Sequence, residues 1–230
     1  MSTKNLKYPK DIDKSNLSSL LFMAKEYTSV ASNRHKISEI TQKDIQKSPL
    51  GSVLLYMPQF SESFNTTWDF TLDFVDSLVH SGQKLIRGAV KNTVQKTNGI
   101  ATANNEMSTF TDISNRTYNF SFTFFPKSKE EATEISEIIN FFRYHSMPDY
   151  GDRATVKIPT VFEIKASGLK NSFKNTLMFK PMVLNSVNVT YGKDDHVQLM
   201  SDGAISDITL SLNLTEIFKP LKSDFKDWNK

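Results

Sequence analysis

Residues 116–146 limit the fold more tightly than any other stretch. From Arg116 to Phe125 the chain alternates: Tyr118, Phe120, Phe122 and Phe124 share one face, and Asn119, Ser121 and Thr123 share the other. A period of two with aromatics on one side only reads as a strand with one buried face. Pro126 stops the strand. Ser128 and Glu131 then form an S-x-x-E capping box that opens a helix running to about Ser146. Within it Ile135, Ile138, Ile139 and Phe142 recur at helical spacing. Burying each large side chain contributes roughly 1.5–3 kcal/mol, so strand and helix together can nucleate a core. The expected fold class is α+β, mainly β: a sheet with a packed helix, an extended N-terminal arm and long loops.

The rest of the chain is read around that unit. Residues 1–15 are charged and aperiodic and are expected to form an arm. Ser19–Tyr27 (SLLFMAKEY) is a short apolar strand, and Leu50–Met57 (LGSVLLYM) is a buried strand stopped by Pro58. Ser61–Asp69 reads as a polar loop holding Trp68. Over 70–90, Phe74, Val75, Leu78, Val79, Leu85 and Ile86 share a helical face, with Asp73 and Asp76 near its start and Lys84, Arg87 and Lys91 near its end. Such a helix either docks on another subunit or covers its own sheet. Residues 92–113 read as a long loop around Asn98-Gly99. Val156–Lys165 alternates, and Pro159 marks it as an edge strand. Met182–Tyr191 gives a further strand, and residues 192–203 a loop. The last strand, Ile205–Ile217, places Ile208, Leu210, Leu212 and Leu214 on one face and Thr209, Ser211, Asn213 and Thr215 on the other. The resulting division is an arm with a short strand over 1–47, a main domain over 48–218 with a helical insertion at 70–113, and a tail over 219–230.

Composition narrows the chemistry. The chain has 230 residues, no cysteine, 8 glycines and a net charge of +3. Disulfides and thiolate metal sites are thereby excluded. His35, His80, His145 and His196 are dispersed and lack H-x-x-x-H spacing, which argues against zinc. There is no GxSxG, P-loop or Rossmann glycine pattern, so no cofactor is expected and the chain reads as a non-enzyme. Glu130, Glu131, Glu134 and Glu137 look like a solvated helix face that complements the dipole. The alternative of a β-sandwich hydrolase or ligand-binding protein needs His145, Asp149, Asp152 and His196 around one cleft. A charge of +3 with scattered lysines is too weak to mark a nucleic-acid binder. No apolar leader or membrane-length run is present, so the expectation is synthesis in the cytoplasm, no membrane partner, and a soluble protein or a member of an assembly.

Two strands carry a Ser/Thr/Asn face without charge, through Asn119, Ser121 and Thr123 and through Thr209, Ser211 and Asn213. Solvent faces usually include Lys and Glu. These faces suit either an ordinary outer surface or one that meets water without gripping a passing polymer. Arg116, Arg143 and Arg153 bracket the central unit; they either pair with acids of a neighbouring chain or cap locally. Asp194 and Asp195 sit in a turn-prone loop, as a solvated turn or an inter-subunit contact.

NRTYNFSFTFFPKSKEEATEISEIINFFRYHSMP resembles the strand–P-[KR]-S/T–helix unit of the tail-tube fold in contractile phages. Within that family it is most similar to the baseplate proteins of T4-like phages that cap the tube end of the baseplate. YPKDI with LLFMAKEY, SPLGSVLLYMPQFSESFNTTWD, and FKPMVLNSVNVTYG with AISDITLSLNLTEI resemble other parts of the family in the same order. The resemblance implies a tail-tube-like β-sandwich or half-barrel, and a hexameric ring whose sheets join into one barrel around a channel. It implies a seat on the baseplate hub beside the tube initiator proteins, templating of the tail tube and sheath, and transient passage of DNA. A virion component assembled in the host cytoplasm follows. A major tail tube protein or tube initiator of a contractile injection system is the near variant. On this view Tyr118, Phe120, Phe122, Phe124, Ile135, Ile138, Ile139, Phe142, Leu210 and Leu212 form the core. The two neutral faces line the lumen. Arg116, Arg143, Arg153, Asp194 and Asp195, with segments 70–95 and 192–203, meet neighbours.

Overall fold

A computed structural model describes residues 4–14, 17–26, 48–72, 106–150, 156–157, 159–169, 177–192, 196–200, 203–222 and 224. The chain divides into two compact units, Met1–Phe64 with Asn115–Lys230, and Asn65–Ser114. The first unit holds β1 (Lys4–Tyr8), β2 (Ser19–Lys25), β3 (Gly51–Tyr56), β4 (Gln59–Ser63), β7 (Thr117–Phe124), α1 (Lys129–Ser146), β8 (Asp149–Tyr150), β9 (Val156–Lys157), β10 (Val161–Ser167), β11 (Met182–Tyr191) and β12 (Ile208–Glu216). The second holds β5 (Thr66–Leu72) and β6 (Glu106–Ile113). The protein is mainly β, with a large mixed sheet and one α-helix among the described residues. The order in that sheet is β1-β3-β2-β10-β11-β12-β7-β4. Only β1 and β3 pair in parallel; every other neighbouring pair is antiparallel.

The alternation of β7 becomes its burial pattern: Tyr118, Phe120, Phe122 and Phe124 are buried, and Asn119, Ser121 and Thr123 are exposed. β12 lies beside it in register, so Leu210 meets Phe122 and Leu212 meets Phe120. Pro126 ends the ladder and α1 begins. The Ser128 hydroxyl accepts from the Glu131 N–H at 3.3 Å. The Glu131 carboxylate accepts from the Lys127 N–H at 2.8 Å, one residue before the usual capping-box donor. Ile135, Ile138, Ile139, Phe141 and Phe142 form the buried stripe of α1.

The sheet folds back on itself around this core. Phe22 of β2 meets Phe120 and Phe122 of β7 at 5.8 and 6.0 Å, and Phe142 of α1 at 5.4 Å. None of these strands is its neighbour in the sheet. One half, β1-β3-β2-β10, therefore faces the other, β11-β12-β7-β4. Among the described residues the halves join through a single strand pair, Phe162 with Met182. α1 packs against β1 and β11. Gly51 lets β3 approach it: a Cβ there would lie 2.8 Å from Phe141 Cε2 and 3.1 Å from the Lys4 carbonyl oxygen.

Five sequence expectations are corrected. Residues 4–8 are a strand of the main sheet and not part of a free arm, because Leu6 and Tyr8 have a buried side to fill. The polar loop over 61–69 is largely strand, in β4 and β5, and the long loop over 92–113 ends in β6. Residues 70–72 belong to β5; the helical face over 73–90 lies outside the described residues. The edge strand over 156–165 is two elements. β9 pairs with β8, whereas β10 is an interior strand between β2 and β11. Pro159 falls in the break between them, where no ladder N–H is needed.

In the second unit β5 and β6 pair from Thr66–Ile113 to Leu72–Glu106. Trp68 lies opposite Phe110, with ring centroids 5.4 Å apart, and both are about half exposed.

Candidate functional site

The outward side of β11-β12-β7-β4 is a continuous uncharged polar surface. Register carries it across the strands: Asn213 lies beside Asn119, Ser211 beside Ser121, and Thr209 beside Thr123. β4 extends it with Ser61 beside Asn119 and Gln59 beside Ser121. β11 extends it on the other side with Asn188 beside Ser211 and Thr190 beside Thr209. Amides and hydroxyls link the strands. Asn213 Nδ2 donates to Asn119 Oδ1 at 2.5 Å, and Asn185 Nδ2 donates to Asn213 Oδ1 at 2.9 Å and to Thr215 Oγ1 at 2.6 Å. A shallow depression of about 220 Å³ opens between Asn119, Ser121, Asn188 and Ser211. These amides and hydroxyls satisfy one another and water, and offer a polyanion no cation. The β7 and β12 residues were legible from sequence. The contributions of β4 and β11 were not, although Gln59, Ser61 and Ser63 alternate with Phe60.

Arg116 closes the lower end of this block. Its guanidinium, 4% exposed, forks onto the Glu216 carboxylate, which is fully buried, at 2.8 Å from Nε and 2.7 Å from Nη2. It also donates to the Met178 carbonyl at 3.1 Å and reaches Glu62 of β4 at 3.4 Å. Burial works against the Arg116 charge, but the bonds to Glu216 prevail and hold its pKa above the ordinary value. Burial likewise pushes the neighbouring Tyr118 hydroxyl up. These bonds, from Glu216 to Met178, lie within its own chain.

Strand edges complete the site. Among the described residues no strand pairs with the outer edge of β4, and on the side away from β12, β11 has a strand partner only at Met182. Other edge groups are occupied by side chains. Glu134 of α1 accepts from the Lys7 N–H at 3.2 Å, and Glu137 pairs with Lys4 at 3.3 Å. The expected solvated acidic face thus partly serves to cover β1.

The remaining expected residues are dispersed. Arg143 is exposed in the last turn of α1. Arg153, Asp194 and Asp195 lie outside the described residues, as does Asp152. His145 is buried against Phe141 and Phe162, with Nδ1 lacking a hydrogen-bond partner, and burial lowers its pKa. Asp149 and His196 are exposed. Among the described residues no three His, Asp or Glu side chains group as metal ligands. No described helix is long and apolar enough to cross a membrane.

Strand edges without a strand partner are places where a further chain can add. Residues 84–157, which include β6 through β9, match the T4 tail-cap family, described as a tail-tube assembly protein. The match covers about a third of the chain and supports a tail-tube or cap-type protein. No curated protein matches the chain.

Proposed function

We propose that the chain is a structural, non-catalytic ring protein of a contractile phage tail baseplate. Six copies sit on the hub beside the initiator proteins, template the first ring of tail tube and the start of the sheath, and leave a channel for DNA. The observation that carries this reading is the four-stranded uncharged face bounded by the exposed edge of β4. In β11-β12-β7-β4 the strands alternate in direction, so β4 of one copy beside β11 of the next continues the antiparallel order. Head-to-tail joining of this kind closes when the rotation permits. Six copies place roughly 24 strands around the axis, more than the 16–18 that already enclose a water-filled channel. At about 4.8 Å per strand the circumference is roughly 115 Å and the diameter roughly 37 Å before tilt.

Electron microscopy of the purified full chain, with salt-dependent duplex binding measured alongside, tests the proposal. Six-fold rings with little affinity for DNA are expected. Monodisperse monomers at high concentration sink it, as does duplex affinity that falls steeply with salt, which marks a phosphate-gripping surface. Indefinite tubes from this chain alone would make it the tube subunit instead of the cap.

A further inference from the structure

β7 runs past its neighbour on the outer side. β4 pairs with it only from Thr117 to Ser121, so among the described residues no strand pairs with the last part of β7 on that side. Two tyrosines from the opposite half of the sheet occupy the backbone there. Tyr56 Oη donates to the Thr123 carbonyl at 2.7 Å and accepts from the Thr123 N–H at 2.8 Å. Tyr8 Oη donates to the Phe125 carbonyl at 3.0 Å and accepts from the Phe125 N–H at 3.1 Å. Residues 123 and 125 are alternate, the spacing at which a strand directs its backbone groups to one side. Each hydroxyl therefore makes the donor–acceptor pair that an added strand would make. The rings are anchored edge-on, Tyr8 against Phe124 at 4.9 Å and Tyr56 against Phe122 at 5.7 Å.

We propose that Tyr8 and Tyr56 are strand stops, side chains that take the place of a β-strand at the open end of β7 and deny that edge to a second copy of the chain. An unpaired edge is a template for any extended segment. Occupying it confines strand pairing between copies to β4 and β11, the contact on which the ring reading rests. Aliphatic or phenyl side chains here would fill the same space and leave the edge open. The hydroxyls are the functional atoms, and ring packing alone does not supply the stop.

The test compares the full-length chain with its Tyr8→Phe/Tyr56→Phe variant, and with Tyr56→Phe alone should the pair fold poorly. Amide exchange at Thr123 and Phe125 is read with assembly size by electron microscopy and light scattering. Loss of the hydroxyls is expected to speed exchange at the affected amides about tenfold, with other amides of β7 unchanged. It is also expected to turn finite particles into open-ended aggregates. Equal exchange in both proteins overturns the assignment of the hydroxyls. Faster exchange with unchanged association overturns their role as stops. If the unaltered chain forms no ring, the ring reading fails, and the exchange and aggregation of the variant still decide the stops.

Discussion

Replacing Arg116 with methionine isolates the most buried ion pair among the described residues. The side chain is 4% exposed and its partner Glu216 is fully buried. Methionine fills much of the aliphatic volume but withdraws both guanidinium bonds to Glu216, at 2.8 and 2.7 Å. The carboxylate then keeps the Lys180 N–H at 3.0 Å as its remaining named donor, with Glu62 as a like charge nearby. Removing one partner of a buried pair costs about 3–5 kcal/mol, mostly from the stranded charge. With a urea m-value of about 2–3 kcal/mol/M, the midpoint should fall by roughly 1–2 M. Equilibrium unfolding followed by far-ultraviolet circular dichroism, below the concentration at which copies associate, measures this. Arg116→Met/Glu216→Gln should recover most of the loss, since the amide still accepts from Lys180 and carries no charge. A single variant whose midpoint moves by less than about 0.3 M would show that Glu216 is solvated without its partner, and would refute the argument.

Two further outcomes follow from burial. His145 is held neutral, its pKa below the ordinary value of about 6.5. The unfolded chain therefore binds the proton first, so stability is flat above that value and falls as pH drops toward the folded pKa; His145→Phe should flatten the slope between pH 7 and 5 in a thermal-melt series. Gly51→Ala sets a methyl 2.8 Å from Phe141 and should destabilise by about 1–3 kcal/mol in urea unfolding, with Phe141→Leu in the same chain relieving part of it.

What could be read from sequence follows physical contrast. β7 and β12 each bury one face, so apolar and polar residues alternate visibly; β2 and β3 stand out as short apolar runs, and the cap and stripe of α1 need only local spacing. β4 and β5 carry Ser, Thr and Glu through exposed stretches, which leaves no contrast to read. β1 offers only Leu6 and Tyr8, and its parallel partner starts at Gly51, far along the chain. Pro159 separates two strands that the alternation of 156–165 runs together. The fork from Arg116 to Glu216 joins residues 100 apart in sequence, and the hydroxyl bonds of Tyr8 cross 117. The first depends on which strands become neighbours and the second on how the sheet folds back, and local periodicity encodes neither.

The lone Phe162–Met182 pair between the two halves of the sheet has a mechanical consequence. Backbone bonding does not set the angle there; the bulk of the side chains between the halves does. Trimming Phe22 or Phe162 should alter how strongly the four outward strands bow, without touching the polar residues on their outer face. In the ring proposed above, that bow would set the bore.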